Sequence, residues 1–448
     1  MVNNSQLTPT QKIKALREAT NCTQKDLAVV LSCARTKVTR VEQGHWDYSD
    51  EDITAAKKFF GVEKAPFTTK ELTDFKERLY RWKDLIRNRQ LDEARKNKDE
   101  LMIITRLPFE RDLNTLYRMF EIRLALTEAK VALAEEMLLA ETPLIEEATE
   151  ENQHHFNYNM GSLYIYKQNF KVALQYYLKA RSLEASVPER DVILDFNLAI
   201  CYSMLGKYTL AIGTVEEVYN LFDLNKSSIM RTYIYSTLAI NYVFVGQATR
   251  AKRFLDKALS IALGITSKIH ISAALHNYGC ACLELKDYQE AINYFDRVFE
   301  YCEIGDRFYM ENMYWKIYCL IQLKEVSKAK ILLSETKPQT EGHEYYTLIF
   351  ESLSHLLTIN DDASIDFIEQ KTIPYLIEKY EYYRVLSYCK VLENKFTIWI
   401  NNGYKKRLAE LIAVIRKITD EITFGEEVIF DEESICRHHI DTNDGNEF

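Results

Sequence analysis

Apolar residues along this chain fall in helical stripes separated by short polar turns. Four such stripes fit between Pro9 and Gly61. Thr8 can cap the first, with Pro9 in its opening turn and Ile13 and Leu16 facing inward. Thr23-Gln24-Lys25-Asp26 opens the second as a capping box, and Leu27, Ala28 and Leu31 form its apolar side. After a short turn at Ser32-Cys33, a third stripe runs from about Ala34 to Glu42 on Val38 and Val41. Gly44 ends it, and Ser49 caps a fourth that reaches Phe60. With 13 Gly and 7 Pro in 448 residues, helix follows helix throughout, and the class is all-α.

Order and chemistry give the first sixty residues a use. A short helix, a tight turn and a polar, basic helix is the arrangement that reads a DNA major groove. The third helix carries Arg35, Thr36, Lys37, Thr39 and Arg40 opposite its two valines. Arginine and lysine donate to guanine edges or phosphates, and threonine contacts either. Gln24, opening the second helix, is placed to donate to a phosphate or to reach an adenine edge. Glu42 is expected to pair with a nearby arginine and tie two helices together. The net charge of −9 argues against nucleic acid only until its distribution is considered: residues 1–45 hold seven Lys/Arg against three acids. The run Thr23-Gln24-x-x-Leu27-Ala28-x-x-Leu31, then Arg35-x-x-Val38-x-Arg40-Val41-Glu42-x-Gly44, resembles the Xre/Cro-type helix-turn-helix family over roughly residues 9–62. Ser32-Cys33 and Ala34 depart from that family's usual turn and capping residue.

Residues 63–70 read as a linker, and beyond them the chain repeats. A small residue, a Tyr or Cys three later and an Ala twelve later recur as Gly161-Tyr164-Ala173, Ala199-Tyr202-Ala211, Ala239-Tyr242-Ala251 and Gly279-Cys282-Ala291. The period is about 40, slightly longer than that of the tetratricopeptide repeat these units resemble. Gly206 and Gly246 punctuate two turns. Trp82 with Ala94, Phe120 with Ala132 and Ile317 with Ala329 mark weaker copies, and 345–371 and 386–416 are degenerate ones. The expected organisation is a helix-turn-helix domain over 1–62, a linker over 63–70, and eight or nine helix pairs over 71–431. These pairs form a tetratricopeptide-type α-solenoid, a right-handed superhelix, and a polar tail follows over 432–448.

The first helix of each pair lines the groove of such a superhelix. Asn159, Asn197 and Asn277 share one repeat position, with Thr237 between them and Asn241 a turn below. Tyr158, Phe196, His276 and Tyr314 occupy the adjacent position. An Asn side chain carries one acceptor and a donor amide, so a ladder of them pairs with an extended peptide backbone while aromatic pockets read its side chains. Arg190, Arg231, Lys268 and Arg307 lie near the starts of these helices, where they can hold a carboxylate.

Together the two parts resemble the peptide-pheromone receptors of Gram-positive bacteria, the Rgg, PlcR, NprR, PrgX and Rap group. That resemblance implies a homodimer on a palindromic double-stranded operator, with a short signalling peptide altering dimer geometry and so DNA binding. It also implies peptide-backbone contacts for Asn159, Asn197, Asn241 and Asn277. The alternative is an array that docks a protein, such as an anti-repressor or a response regulator.

Other chemistry is not expected. The nine cysteines are scattered and odd in number, as reduced thiols are. His154-His155 and His438-His439 are adjacent pairs, which chelate poorly on a helix. Neither a phosphate loop nor a nucleophile motif is present, so no catalytic residue, cofactor or metal is expected. The first residues hold no basic-then-apolar leader and no run reaches membrane-spanning length, which makes the expected location cytoplasmic.

Overall fold

The computed structural model describes residues 7–221, 228–357, 361–398 and 404–424, and among these every regular element is helical. The expected tail over 432–448, with Cys436, His438 and His439, lies outside the described residues. Two compact units divide at Arg190 and Asp191, within the repeat array.

The first unit opens with α1 (Pro9–Ala19), α2 (Gln24–Val30), α3 (Arg35–Glu42) and α4 (Asp50–Phe59). Thr8, Thr23 and Ser49 each close a capping box, so three of the four helices begin on satisfied backbone donors. Ala34 gives α3 no side-chain cap. Ile13, Leu16, Leu27, Val38 and Val41 are buried together, as the stripes require. The turn between α2 and α3 places Ser32 at φ 50°, and Gly44 leaves α3 at φ 83°, a conformation glycine adopts freely.

The segment between α4 and the array is anchored. Ala65, Pro66 and Phe67 are buried, and Thr68 caps the next helix through Glu71. Lys12, counted above among the basic residues, is also buried: its Nζ donates to the Phe67 carbonyl at 2.8 Å and to Glu110 at 2.7 Å. Three helix pairs follow: α5 (Thr69–Arg87) with α6 (Leu91–Leu101), α7 (Arg111–Thr127) with α8 (Val131–Ile145), and α9 (Glu150–Tyr166) with α10 (Phe170–Ser182).

The second unit continues with α11 (Val192–Met204) and α12 (Tyr208–Leu221), α13 (Ser228–Phe244) and α14 (Ala248–Gly264), α15 (Lys268–Glu284) and α16 (Tyr288–Val298), and α17 (Arg307–Gln322) and α18 (Val326–Thr336). Then come α19 (Glu344–Leu357) and α20 (Asp362–Phe367), which passes through one π turn into α21 (Ile373–Glu378). Last are α22 (Tyr382–Ile398) and α23 (Lys405–Phe424).

Close approach within pairs explains the small residues. A Cβ on Gly161 would sit 2.6 Å from the Tyr177 ring, and one on Gly279 would overlap Phe295. The expected pairing of Phe120 with Ala132 is corrected by two residues. Ala132 is exposed, whereas Ile122 and Ala134 are fully buried and restore the spacing of twelve. Each first helix then ends on a left-handed residue seven positions after its anchor: Arg89, Ala129, Gln168, Gly206, Gly246, Lys286 and Lys324. That conformation lets the following amides bond back to the last helical carbonyls and turns the chain into the second helix.

Candidate nucleic-acid interface and repeat face

At about 100° per residue, Arg35, Thr36, Thr39 and Arg40 share one arc of α3, with Val38 and Val41 opposite. Lys37 and Glu42 fall on the two flanks, and each is tied to a neighbouring helix. Arg17 on α1 donates to both carboxylate oxygens of Glu42, at 2.6 and 2.9 Å, which is the pairing expected for this glutamate. Lys37 reaches Asp52 of α4 at 2.7 Å, and this carboxylate raises its pKa.

Three of the six residues expected to contact DNA are engaged within the head. Gln24 donates from Nε2 to Glu42 at 2.8 Å, and its Oε1 accepts from the Thr39 hydroxyl at 3.1 Å. Thr39 also lies within bonding distance of the Arg35 carbonyl. Gln24, Thr39 and Lys37, each half-buried, thus knit α2, α3 and α4 together. Arg35, Thr36 and Arg40 remain exposed on the arc. Two residues passed over above complete this surface. Asp52 was hidden in the role of capping-box acid, and Trp46 stands half-exposed with the Arg40 guanidinium 4.8 Å from its ring centre.

On the repeats, the expected peptide contacts divide between the units. In the first, Asn159 is fully buried and its Nδ2 donates to the Met119 carbonyl on α7 at 2.8 Å. It braces one repeat against the preceding one, so the groove role is withdrawn. Tyr158 is buried beneath Arg123, whose guanidinium lies 3.7 Å from its ring centre. Beside it His155 is enclosed by Tyr80, Phe120 and His154. Burial, then the charge of Arg123, holds its pKa well below the usual imidazole value.

In the second unit Asn241 is fully buried and returns its amide to the Thr237 carbonyl of its own helix at 2.7 Å, a further correction. Tyr314 is the last. Its hydroxyl meets that of Tyr388 at 3.1 Å and Arg384 lies over its ring at 4.0 Å, so α22 covers the position. Arg384 is itself buried and paired with Glu311 at 2.8 Å. Phe196 is buried near Tyr233. Asn277 is buried, while Asn197, His276 and Arg231 are half-buried. His276 bonds Asn312 through Nδ1 at 3.1 Å, and Arg231 reaches the Ser228 hydroxyl at 3.1 Å. The Arg307 side chain lies outside the described residues.

Among the described residues no three His, Cys, Asp or Glu side chains gather as a metal site, and no helix is long and apolar enough to cross a membrane.

Comparison with known proteins agrees with this architecture. Tetratricopeptide repeat models match residues 154–186 and 230–303. The transcriptional activator NprA of Geobacillus stearothermophilus is 22% identical over 310 residues, covering 65% of this chain and 74% of NprA. A Rap protein complexed with competence and sporulation factor superposes with TM-score 0.64 at 17% identity, over 78% of this chain and 99% of that one. The apo form of the quorum sensor NprR from B. thuringiensis superposes with TM-score 0.61 at 18% identity, over the same shares. A backbone built on repeating helix pairs, matched over most of its length, makes this chain an all-α tetratricopeptide-repeat protein with the fold of Rap and NprR.

Proposed function

We propose that this protein is a DNA-binding transcriptional regulator whose repeat domain takes a short signalling peptide in its groove, changing dimer geometry and operator binding. One observation carries the reading. Arg35, Thr36 and Arg40 stand exposed on one arc of α3, while Lys37 and Glu42 on its flanks, and Thr39 through Gln24, tie that helix to its neighbours. The similarity to NprA, a transcriptional activator, and to the quorum sensor NprR supports it, as does that to a Rap protein complexed with competence and sporulation factor. No catalytic role is assigned. Selection of 30-base-pair duplexes from a random pool tests the reading. The wild type enriches a sequence, and Arg35→Ala binds it about 5- to 150-fold more weakly, the range a lost base contact of about 1–3 kcal/mol gives. Failure to enrich any duplex contradicts it.

The second reading, a protein partner in place of the peptide, draws on Tyr314. With α22 covering that position, α17 is packed at Tyr314 by the protein's own chain. Asn197→Ala with Asn277→Ala separates the two. In the first reading the wild type captures extended peptides from a synthetic library and the double variant does not; in the second neither captures them.

A further inference from the structure

Arg40 and Trp46 form a pair that neither the repeat architecture nor the fold of the head requires. Trp46 is 49% exposed, although a tryptophan side chain is among the most favourable to bury. The left-handed Gly44 turns the chain after α3 so that the indole lies alongside the last turn of that helix, under the Arg40 guanidinium. Stacking leaves the guanidinium edge, with its N–H donors, directed away from the ring. Arg35 and Thr36 sit at the opposite end, about 7.5 Å along the axis. The acids of this region are engaged elsewhere, Glu42 by Arg17, Asp52 by Lys37 and Asp47, beside Trp46, by the Thr10 hydroxyl at 3.1 Å, and none of them pairs with Arg40.

A helix lying in a major groove reads bases with its first residues, and its far end meets the sugar-phosphate backbone. We propose that Arg40 and Trp46 are a backbone clamp: Arg40 donates to a phosphate, and Trp46 holds the guanidinium in place and packs its free ring surface on the adjoining deoxyribose. Base reading then falls to Arg35 and Thr36. This inference rests on the DNA-binding reading above and divides the labour within it. Trp46 is a positioning residue and Arg40 the phosphate donor.

The test uses the full chain and the duplex enriched by the wild type, with affinity measured over a salt series. Arg40→Ala lowers the slope of log affinity against log salt by about one and keeps the order of preference among sequence variants. Trp46→Ala weakens binding about two- to fivefold, the size of an exposed cation–π contact, with the same preference. Trp46→Phe, which keeps a ring, recovers part of that loss and guards against simple misfolding. Arg35→Ala, by contrast, relaxes the preference. Unchanged affinity in Trp46→Ala overturns the clamp, as does an Arg40→Ala variant that alters base preference at constant salt slope. Both results leave DNA binding itself standing, whereas a wild type that enriches no duplex removes the larger reading.

Discussion

Glu42 shows how much the proposed reading surface depends on side chains that brace α3 against its neighbours. It accepts from Arg17 and Gln24 together, and its side chain is only 4% exposed. Glu42→Gln leaves the largely buried Arg17 with only the exposed Glu18, at 3.2 Å, as counter-charge, and losing the buried partner of such a pair costs about 3 kcal/mol. Hydrogen exchange over residues 9–60 is expected to accelerate, and unchanged protection would contradict this role. His155 sets a second residue-scale expectation. It faces the cations Arg123, Lys83 and Lys76, neighbouring His154, and Glu151 across the Tyr80 hydroxyl. Its folded pKa lies well below 6.5, so the folded state prefers the neutral ring. Its contribution to stability is full above the unfolded value and is lost as pH falls below it. Thermal melts of the wild type should drop below about pH 6.5 more steeply than those of His155→Gln. Parallel curves would assign the acid sensitivity elsewhere.

Among the helices, two effects of opposite sign meet at Gly161. Replacing a helical Gly by Ala gains about 1 kcal/mol of helix propensity, while forcing a methyl onto the Tyr177 ring costs about 1–3 kcal/mol. Gly161→Ala is expected to lower the melting temperature, and a stabilised variant would show that the pair can part at no cost. The repeat was legible in the sequence because this close approach admits few residue types at the anchor. It misled at Phe120 because Ala132 and Ala134 are equally small, and nothing local says which one faces inward. The left-handed turns after the first helices were legible only at Gly206 and Gly246. Arg89, Ala129, Gln168, Lys286 and Lys324 adopt the same conformation without a residue that announces it. The linker was equally misleading, since its buried Ala65–Phe67 answers to Lys12 and Glu110, far apart in sequence. Lys12→Met is expected to expose residues 63–68 to limited proteolysis, with partial protection restored by Glu110→Gln, which removes the stranded charge. Equal cleavage of wild type and Lys12→Met would mean the ion pair does not anchor the segment.

For the molecule as a whole, architecture was readable and ligand geometry was not. Fold class follows from few breakers and a 40-residue period. Whether an Asn lines a groove or braces a neighbour depends on which carbonyl the adjacent repeat presents, and at Asn159 it presents Met119. Tyr314 is covered by residues some seventy positions later, a contact no local pattern contains. The exposed arc of α3 was legible because its pattern is contained in one short helix, although Gln24, Lys37 and Thr39 are engaged by neighbouring side chains. The most direct test is therefore a methylation-protection footprint of the full chain on its enriched duplex. The account predicts guanine N7 protection in two half-sites about one helical turn apart, with protection lost at one guanine per half-site in Arg35→Ala. Protection confined to the minor groove, or a pattern indifferent to Arg35, would contradict it.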